Sequence, residues 1–243
     1  MPFAELRARR PRRIVVLTGA GISAESGVPV FRGPDGLWEG HRVEDVATPE
    51  AFARDPLLVQ RFYDLRRAAL ANVQPNAAHL ALARLDSQWH GDGRELLIVT
   101  QNVDDLHERG GARRLLHMHG ELKSALCGVC AGRFPWTAPL SGLTACPGCA
   151  SMMTLRPDIV WFGEMPYHMA AIEVALARAD LFLSIGTSGN VYPAAGFVDL
   201  ALAAGAWCLE LNLDPSMTSP RFHASVPGPA GTLVPQWVES LIG

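Results

Sequence analysis

The sequence has little charge and almost no lysine. Asp, Glu, Lys and Arg make up 19% of its 243 residues, and Lys123 stands alone beside 20 arginines. Apolar residues make up 49%. This balance excludes a disordered chain, which has too little apolar surface to fold, and a coiled coil, which is rich in charge. We interpret the arginine excess as a habit of genomic base composition, and the length as one large domain or one domain with an insertion.

Long apolar runs and a basic excess are also missing. The most apolar stretch, residues 169–186, is interrupted by Glu173, Arg178 and Asp180, so no transmembrane helix is predicted. No secretory signal precedes the first predicted strand, which begins near Arg13, and we therefore expect a cytoplasmic protein with no membrane partner. The net charge of −3 argues against nucleic acid as a partner.

Cysteine is scarce and unevenly placed. Four of the five cysteines form two CxxC pairs separated by fifteen residues: Cys127, Cys130, Cys146 and Cys149. This spacing is typical of a zinc site, and without an export signal a metal is favoured over disulfides. Four thiolates complete a tetrahedron, so we predict one structural Zn²⁺ without an open catalytic position. The fifth, Cys208, lies in a buried-strand pattern and is interpreted as an inert core thiol.

Short apolar runs alternate with helical patterns along the chain. We predict strands at 13–18, 95–100, 115–119, 181–186 and 206–211, and helices at 76–87, 168–179, 194–204 and 235–242. This alternation predicts an α/β fold with a Rossmann-like parallel sheet and helices on both faces.

Two stretches break this alternation. Residues 51–73 form one long helical pattern, and residues 123–156 are rich in Gly, Cys and Pro and too short to build a core without a metal. We expect both to form a smaller lobe of helices and a zinc ribbon. The predicted division is a Rossmann-like domain of residues 1–38, 76–122 and 157–243, a helical insertion of residues 39–75 and a zinc-binding insertion of residues 123–156.

The first strand leads into a glycine-rich loop. Gly19, Gly21 and Ala24 satisfy G-x-G-x-x-G/A, in which glycine lets the backbone approach a pyrophosphate and helix amides face the anion. Alone, the pattern is a weak indication of a dinucleotide. The acidic ribose ligand expected about 20 residues further on is missing, and residues 26–38 form a loop instead. In that loop Phe31 and Arg32 either cover a cofactor or belong to an ordinary surface connection.

Several motifs together resemble one family. The segment from Gly19 to Arg32, GAGISAESGVPVFR, resembles the signature of sirtuins, the NAD-dependent protein lysine deacylases. Further motifs follow in the family's order: TQNVDDLH at 100–107, HG at 119–120, the paired CxxC, GTS at 186–188, NLD at 212–214 and Ala230. The likeness runs from Val15 to Val238, and the segments LHMHGE, VWFGE and SIGTSG resemble those of bacterial CobB-type sirtuins.

The resemblance implies that NAD is the cofactor and that acylated lysines of protein substrates are the partners. In the implied reaction the acyl-lysine displaces nicotinamide from the ribose, and the acyl group leaves as 2′-O-acyl-ADP-ribose with free lysine. The implied cofactor-binding residues are Gly19, Ala20, Gly21, Ile22, Ser23, Arg32, Gln101, Asn102, Val103, Asp104, Gly186, Thr187, Ser188, Asn212, Leu213, Asp214 and Ala230.

The implied reaction needs a general base, and imidazole titrates near neutrality. His117 and His119 would point to the same side of a strand, so the residues alone leave both open. The resemblance selects His119 as the catalytic base and leaves His117 a structural role. Gly120 is expected to allow close approach of cofactor or substrate. His107 is expected to order its loop.

The resemblance also bears on the acyl group. Tyr63 and Arg66 are three residues apart on a predicted helix, where they can offer a hydroxyl and a guanidinium to one carboxylate. Class III sirtuins, which remove succinyl and malonyl groups, carry this Tyr-x-x-Arg pair. Ala47 matches the small residue that widens their acyl pocket. Arg67 lies on nearly the same face, so the choice of Arg66 comes from the resemblance.

The segment VWFGE at 160–164 resembles the one on which the acyl-lysine peptide lies. Pairing of backbones would give affinity without reading much sequence, which makes Val160, Phe162 and Gly163 implied substrate-binding residues. The alternative is a plain buried strand.

The expected function is therefore NAD-dependent removal of succinyl and malonyl groups, and also of acetyl groups, from lysine. One alternative is a mono-ADP-ribosyltransferase, which would add ADP-ribose to acceptor proteins. Another is a non-catalytic module that senses NAD or ADP-ribose, which would bind without releasing nicotinamide. A zinc ribbon for nucleic acid is disfavoured, because Lys123 and Arg133 are the only basic residues within 123–155.

Overall fold

The structure, a computed structural model, describes residues 3, 8–30, 40–140 and 144–243. These residues form the predicted α/β fold, with a six-stranded parallel sheet and a separate three-stranded antiparallel sheet. The strands of the large sheet are β1 (Arg13–Thr18), β2 (Glu95–Thr100), β3 (Leu115–His117), β7 (Leu181–Ile185), β8 (Trp207–Asn212) and β9 (Ala224–Pro227). Those of the small sheet are β4 (Gly120–Cys127), β5 (Arg133–Pro135) and β6 (Leu155–Ile159).

The α-helices of the described residues vary from one turn to nearly four. They are α1 (Gly21–Ala24), α2 (Val43–Val46), α3 (Pro49–Arg54), α4 (Pro56–Ala69), α5 (Ala77–Gln88), α6 (Leu106–Gly110), α7 (Met169–Leu176), α8 (Phe197–Ala203) and α9 (Ala230–Ile242). Every one of them is too short or too polar to cross a lipid bilayer.

The strand order places a switch point beside β1. The order is β3-β2-β1-β7-β8-β9, so the chain builds outwards from β1 on one side before it returns to build the other. In β1, Val16 lies opposite Ile98 of β2 and Leu183 of β7. In parallel sheets of this kind, ligands bind at the carboxyl ends of the strands where the order reverses.

Alternate residues of β1 enter two different cores, because successive side chains of a strand point to opposite faces. Ile14 and Val16 pack in a cluster with α5 and α9. Val15 and Leu17 pack in a cluster with α7 and α8. Since both faces are covered, the strands are continuous apolar runs, and this is why the sequence located them.

The small sheet and helices α2–α4 have their own apolar clusters. The cluster beside the small sheet contains Ala125, Leu140 and Leu155 with two of the cysteines, which is too few side chains for an independent core. Helices α2–α4 pack with Ile159 and Trp161. The division of the chain into two lobes stays a prediction.

The predicted long helix at 51–73 is wrong. Helix α3 ends at Arg54, and α4 begins at Pro56 with Asp55 as its N-cap, whose side chain accepts a hydrogen bond from Leu58 N. Proline suits the first position of a helix, where its missing N–H costs nothing. The Asp-Pro pair therefore starts a second helix.

The last helix also differs from its prediction. It begins at Ala230, and Pro235, taken as its first residue, lies inside it. Leu233 and Trp237 are buried one turn apart on its core face, so burial continues across the proline. Strand β3 ends two residues before its predicted limit, at His117.

Candidate active site

The glycine-rich loop after β1 packs directly against the loop after β7. Gly21 N donates to Gly186 O at 2.9 Å, and Gly19 N donates to Ile185 O at 3.0 Å. A Cβ on Gly21 would lie 2.7 Å from Gly186 Cα, and one on Gly186 would lie 2.5 Å from Ile22 N. Gly186 has a φ of +62°, which favours glycine. The lack of side chains at these glycines thus lets the two loops pack backbone to backbone at the switch point, where sheets of this kind bind a dinucleotide.

Behind this loop, three predicted cofactor residues form one buried hydrogen-bond network. Asn102 Nδ2 donates to Ser23 Oγ at 3.0 Å, and Ser23 Oγ donates to Asp104 Oδ2 at 3.0 Å. Burial raises the pKa of Asp104, although hydrogen bonds from Leu106 N and Ser23 oppose it. The fold therefore brings Ser23, Asn102 and Asp104 together, and their contacts with a cofactor stay predictions.

The network continues into residues that the sequence analysis did not assign to the site. Thr18 Oγ1 donates to Thr100 Oγ1 at 2.8 Å and lies 3.0 Å from His107 Nε2. His79 Nε2 lies 3.4 Å from Ser23 Oγ, and the His79 and His107 rings meet edge-on with centroids 4.9 Å apart. Burial lowers the pKa of both histidines, that of His79 to about 4. The two threonines end apolar strands, which is a signal that could have pointed to them.

His119 has one ring nitrogen fixed and the other available. Its Nδ1–H donates to Gln101 O at 3.2 Å, since a carbonyl can only accept. This tautomer places a lone pair on Nε2, which has no hydrogen-bond partner among the described residues. Burial lowers the pKa of His119, with a smaller opposite effect of the Gln101 bond. A neutral imidazole with a free lone pair is the form that a general base needs.

His117 is engaged through both ring nitrogens. Its Nδ1–H donates to Asn102 O at 3.0 Å, and its Nε2 lies 2.6 Å from Glu108 Oε1. Burial lowers the pKa of His117, but the bond and charge of Glu108 outweigh it, so the pKa is raised overall. This geometry favours His119 over His117 as the base, a choice that the residues alone left open.

Gly120 lies against the backbone of β6 and not against a cofactor or substrate position. A Cβ at this position would lie 2.0 Å from Asp158 O, and the φ is +83°. Gly120 is paired with Ile159 of β6. The expectation that Gly120 makes room for cofactor or substrate is corrected, because the residue lets β4 lie against β6 beside His119.

The cofactor residues predicted from the GTS and NLD motifs lie at the carboxyl ends of β7 and β8, and Ala230 is the first residue of α9. Asn212 Nδ2 donates to Thr187 O at 2.7 Å, which joins the two loops. Thr187 Oγ1 lies 2.9 Å from Ser184 Oγ inside the protein. Of the others, Ser188, Leu213 and Asp214 are exposed and Ala230 is buried.

The remaining cofactor predictions lie around the first two loops. Ile22 is fully buried, Ala20 O accepts a hydrogen bond from Ser23 N at 3.1 Å, and Val103 O accepts one from Leu122 N at 2.8 Å. Phe31 and Arg32 lie outside the described residues.

Tyr63 is fully buried beside Trp161, which the sequence analysis did not single out. Trp161 Nε1–H donates to Tyr63 Oη at 3.1 Å, so the phenol oxygen is the acceptor in this contact. Burial raises the pKa of Tyr63 well above its ordinary value and keeps the phenol neutral. Ala47 is buried in the same cluster, and its carbonyl accepts a hydrogen bond from Phe162 N at 3.0 Å.

Arg66 and Arg67 have different surroundings. Arg67 Nε donates to Leu122 O at 2.6 Å, and its Nη1 pairs with the carboxylate three residues earlier. The Arg66 guanidinium lies 4.5 Å from the centroid of the Phe62 ring. Its charge lowers the pKa of Tyr63 against the larger effect of burial. Arg67 thus joins α4 to β4, whereas Arg66 acts electrostatically on Tyr63.

Residues 160–163 are not a buried strand, so that alternative is wrong. Strand β6 ends before them, and they lead into a turn in which Gly163 has a φ of +91°. Val160 N donates to His119 O at 2.9 Å, which holds the segment beside the candidate base. Phe162 is 42% exposed.

The four cysteines of the CxxC pairs converge on one point. Their Sγ atoms all lie within 4.8 Å of one another, with 3.8 Å between Cys127 and Cys149 and 3.7 Å between Cys130 and Cys146. A tetrahedron with Zn–S bonds of about 2.3 Å has edges of about 3.8 Å, so these positions fit zinc. The predicted zinc-binding site is confirmed.

The chain is similar to proteins of one family over most of its length. Residues 19–193 match the Sir2 family. An NAD-dependent protein deacylase from Bdellovibrio bacteriovorus is 56% identical over 233 residues, covering 95% of this chain and 97% of the relative. An NAD-dependent protein deacylase from Escherichia coli is 53% identical over 232 residues, covering 95% of this chain and 82% of the relative.

Solved structures agree with the sequence relatives. A Sir2 homologue in complex with ADP-ribose has a TM-score of 0.89 and 38% identity, covering 98% of this chain and 96% of the other. A Sir2 homologue in complex with NAD has a TM-score of 0.88 and 38% identity, covering 98% of this chain and 93% of the other. Since the likeness extends over the whole fold as well as the motifs, this chain belongs to the Sir2 family.

Proposed function

We propose that this chain is an NAD-dependent protein lysine deacylase that removes succinyl and malonyl groups and also acetyl groups. The names of the relatives support NAD-dependent deacylation of proteins as the activity, with acylated proteins as the substrates. The assignment of the acyl group to lysine side chains is part of the proposal. The preference for an acidic acyl group is the finer part of the proposal, and it depends on the surroundings of Tyr63 and Arg66.

The meeting of the loops after β1 and β7 at the switch point supports the assignment of NAD. The loop that carries Gly19 and Gly21 would hold the pyrophosphate, and the network of Asn102 and Asp104 would hold the nicotinamide end. When bound, NAD supplies the sugar that accepts the acyl group. The Nε2 lone pair of His119 would accept a proton, and its Nδ1–H bond to Gln101 keeps the ring in the required orientation.

A single observation supports the acyl preference: the buried side chains of Tyr63 and Arg66 lie one turn apart on α4, and the Arg66 guanidinium lies over the ring of Phe62, a member of the apolar cluster that contains Ala47. A carboxylate taken into such surroundings is costly unless a cation and a hydrogen-bond donor meet it. Tyr63 and Arg66 would supply both for a succinyl or malonyl terminus. An acetyl group has no such terminus and would need only apolar cover.

We predict that Arg66→Met lowers kcat/KM for a succinyl-lysine peptide by about 30-fold or more, while the value for the acetyl-lysine peptide changes by less than about threefold. The reason is that losing the partner of a desolvated carboxylate costs about 2–5 kcal/mol. The measurement follows nicotinamide and 2′-O-acyl-ADP-ribose by mass spectrometry with both peptides. Arg61→Met, on the exposed face of the same helix, is the matched control. Equal losses with both peptides would remove the acyl assignment.

The same assay separates the alternatives. A mono-ADP-ribosyltransferase would release nicotinamide and leave ADP-ribose on the acceptor protein. A sensing module would bind NAD without releasing nicotinamide. Free lysine and 2′-O-acyl-ADP-ribose in equal amounts are expected from a deacylase.

A further inference from the structure

The described residues contain a second group of potential metal ligands besides the four cysteines. It consists of His117 at the end of β3, Glu108 on α6 and Glu121 on β4, with one donor atom of each within 4.8 Å of the others. We propose that these three side chains bind one divalent first-row transition-metal ion, such as Zn²⁺ or Co²⁺, as a site distinct from the four-cysteine site. One imidazole and two carboxylates suit these ions, with water completing the coordination.

The orientation of His117 supports this assignment. Its Nδ1–H donates to Asn102 O at 3.0 Å, so loss of the second ring proton leaves the lone pair on Nε2, the nitrogen that faces the carboxylate of Glu108. Histidine ligands in metal sites are held in this same way, with the second nitrogen donating to a carbonyl or carboxylate. The His117 side chain is only 9% exposed, so the fold fixes its position before any ion binds.

The two carboxylates are the exposed ligands of the site, and they can move when an ion binds. Glu108 is 40% exposed at its side chain and Glu121 is also exposed, so solvent reaches the ion position. In the metal-free arrangement Nε2 donates its proton to Glu108 at 2.6 Å. An ion about 2.1 Å from each donor takes the place of that proton, which passes to solvent, and Glu108 withdraws by less than about 1 Å.

The three ligands belong to three segments that meet beside the candidate base. His117 is two residues before His119, and Glu121 is two residues after it. Glu108 lies on the helix that follows the Gln101–Asp104 loop. A shared ion would therefore tie α6 to β3 and β4 around His119, and it should stabilise the folded protein because the unfolded chain has no such preformed site.

The test uses the full chain with zinc already bound by the four cysteines. Titration with Co²⁺ is expected to show one further equivalent, with weak visible absorption bands and no thiolate charge-transfer band. It should also raise the Tm. In Glu121→Gln and in the double variant Glu108→Gln/Glu121→Gln, Co²⁺ affinity should fall at least tenfold, while zinc content and the far-ultraviolet circular dichroism stay unchanged.

Glu173→Gln, an exposed glutamate on α7, is the matched control and should bind Co²⁺ as the wild type does. The proposal would be overturned if the zinc-loaded wild type took up no further Co²⁺ at millimolar concentration. It would also be overturned if the double variant kept the wild-type affinity. Neither result depends on deacylase activity, so this test is separate from that of the proposed function.

Discussion

At the scale of single residues, the surroundings shift the pKa values of the site's histidines in different directions. Burial lowers the pKa of His79, His107 and His119, whereas Glu108 raises that of His117. The carbonyl of Gln101 also decides which nitrogen of His119 carries the proton. These differences lead to two predictions about pH.

The first concerns catalysis. Because burial lowers the pKa of His119, the ring stays neutral to a pH below its ordinary value of 6.5. We therefore expect kcat/KM for deacylation to fall on an acid limb whose midpoint lies below 6.5. His119→Tyr should abolish turnover and leave the circular dichroism unchanged. His90→Gln, at an exposed histidine, is the control. Retained turnover in His119→Tyr would mean that another residue is the general base.

The second concerns stability. The pKa of His79 is about 4 in the folded protein and 6.5 ordinarily, so between these values the unfolded chain binds more protons. The neutral His79 ring therefore makes its full contribution to the free energy of unfolding above pH 6.5. This contribution, roughly 3 kcal/mol, is lost as the pH falls towards 4. Urea unfolding at pH 7 and pH 5 should show a smaller pH dependence in His79→Gln than in wild type. An unchanged dependence would contradict the assignment to His79.

At the scale of elements, the pairing of β4 with β6 depends on one glycine. Gly120 has a positive φ, and a Cβ there would overlap Asp158 O. Gly91 also has a positive φ, but a Cβ there would meet nothing within 4 Å. Comparing an alanine substitution at each of the two positions therefore separates the energetic cost of backbone strain from that of steric overlap.

We expect Gly91→Ala to lower the free energy of unfolding by about 1–2 kcal/mol, the cost of a left-handed backbone alone. Gly120→Ala should cost at least about 2 kcal/mol more, because the new methyl group must push β4 and β6 apart. Denaturant unfolding of both variants measures the difference. Equal losses in the two variants would mean that the contact with Asp158 yields easily.

Five of the six strands of the large sheet could be predicted to within two residues, whereas β9 and the strands of the small sheet could not. Strands β1 and β2 are buried on both faces and so appear as apolar runs. Strand β4 alternates exposed and buried residues irregularly, and its pairing with β6 is interrupted by a register shift. The pairing of β4 with its neighbouring strands depends on the cysteine ligands and on Gly120. Neither of these leaves a periodic pattern of apolar residues in the sequence.

At the scale of the whole molecule, backbone hydrogen bonds join the zinc-binding segment to the loops around the candidate site. Leu122 N donates to Val103 O, and Val160 N donates to His119 O. Both bonds connect the small sheet to loops that carry candidate site residues. Loss of order in the small sheet should therefore reach the site.

We predict that removing zinc with a chelator exposes the amides of β4–β6 to hydrogen exchange, while those of β1 and β7 stay protected. The small cluster of apolar residues around the cysteines cannot stay ordered without the metal. Deacylase activity should fall in parallel with zinc content. Hydrogen-exchange mass spectrometry together with elemental analysis measures both. Unchanged protection and activity in protein shown to be free of zinc would contradict the structural role.

The sequence by itself determined the features that local patterns encode. They include the α/β alternation, the four zinc ligands and the ordered motifs of the Sir2 family. Only the tertiary structure decided which groups meet across long chain separations. Thus Ser23 donates a hydrogen bond to Asp104, Trp161 donates one to Tyr63, and Asp158 O lies where a Cβ of residue 120 would be. The reason is physical: periodicity shows which face of an element is buried, but only packing decides what lies on the other side of the contact.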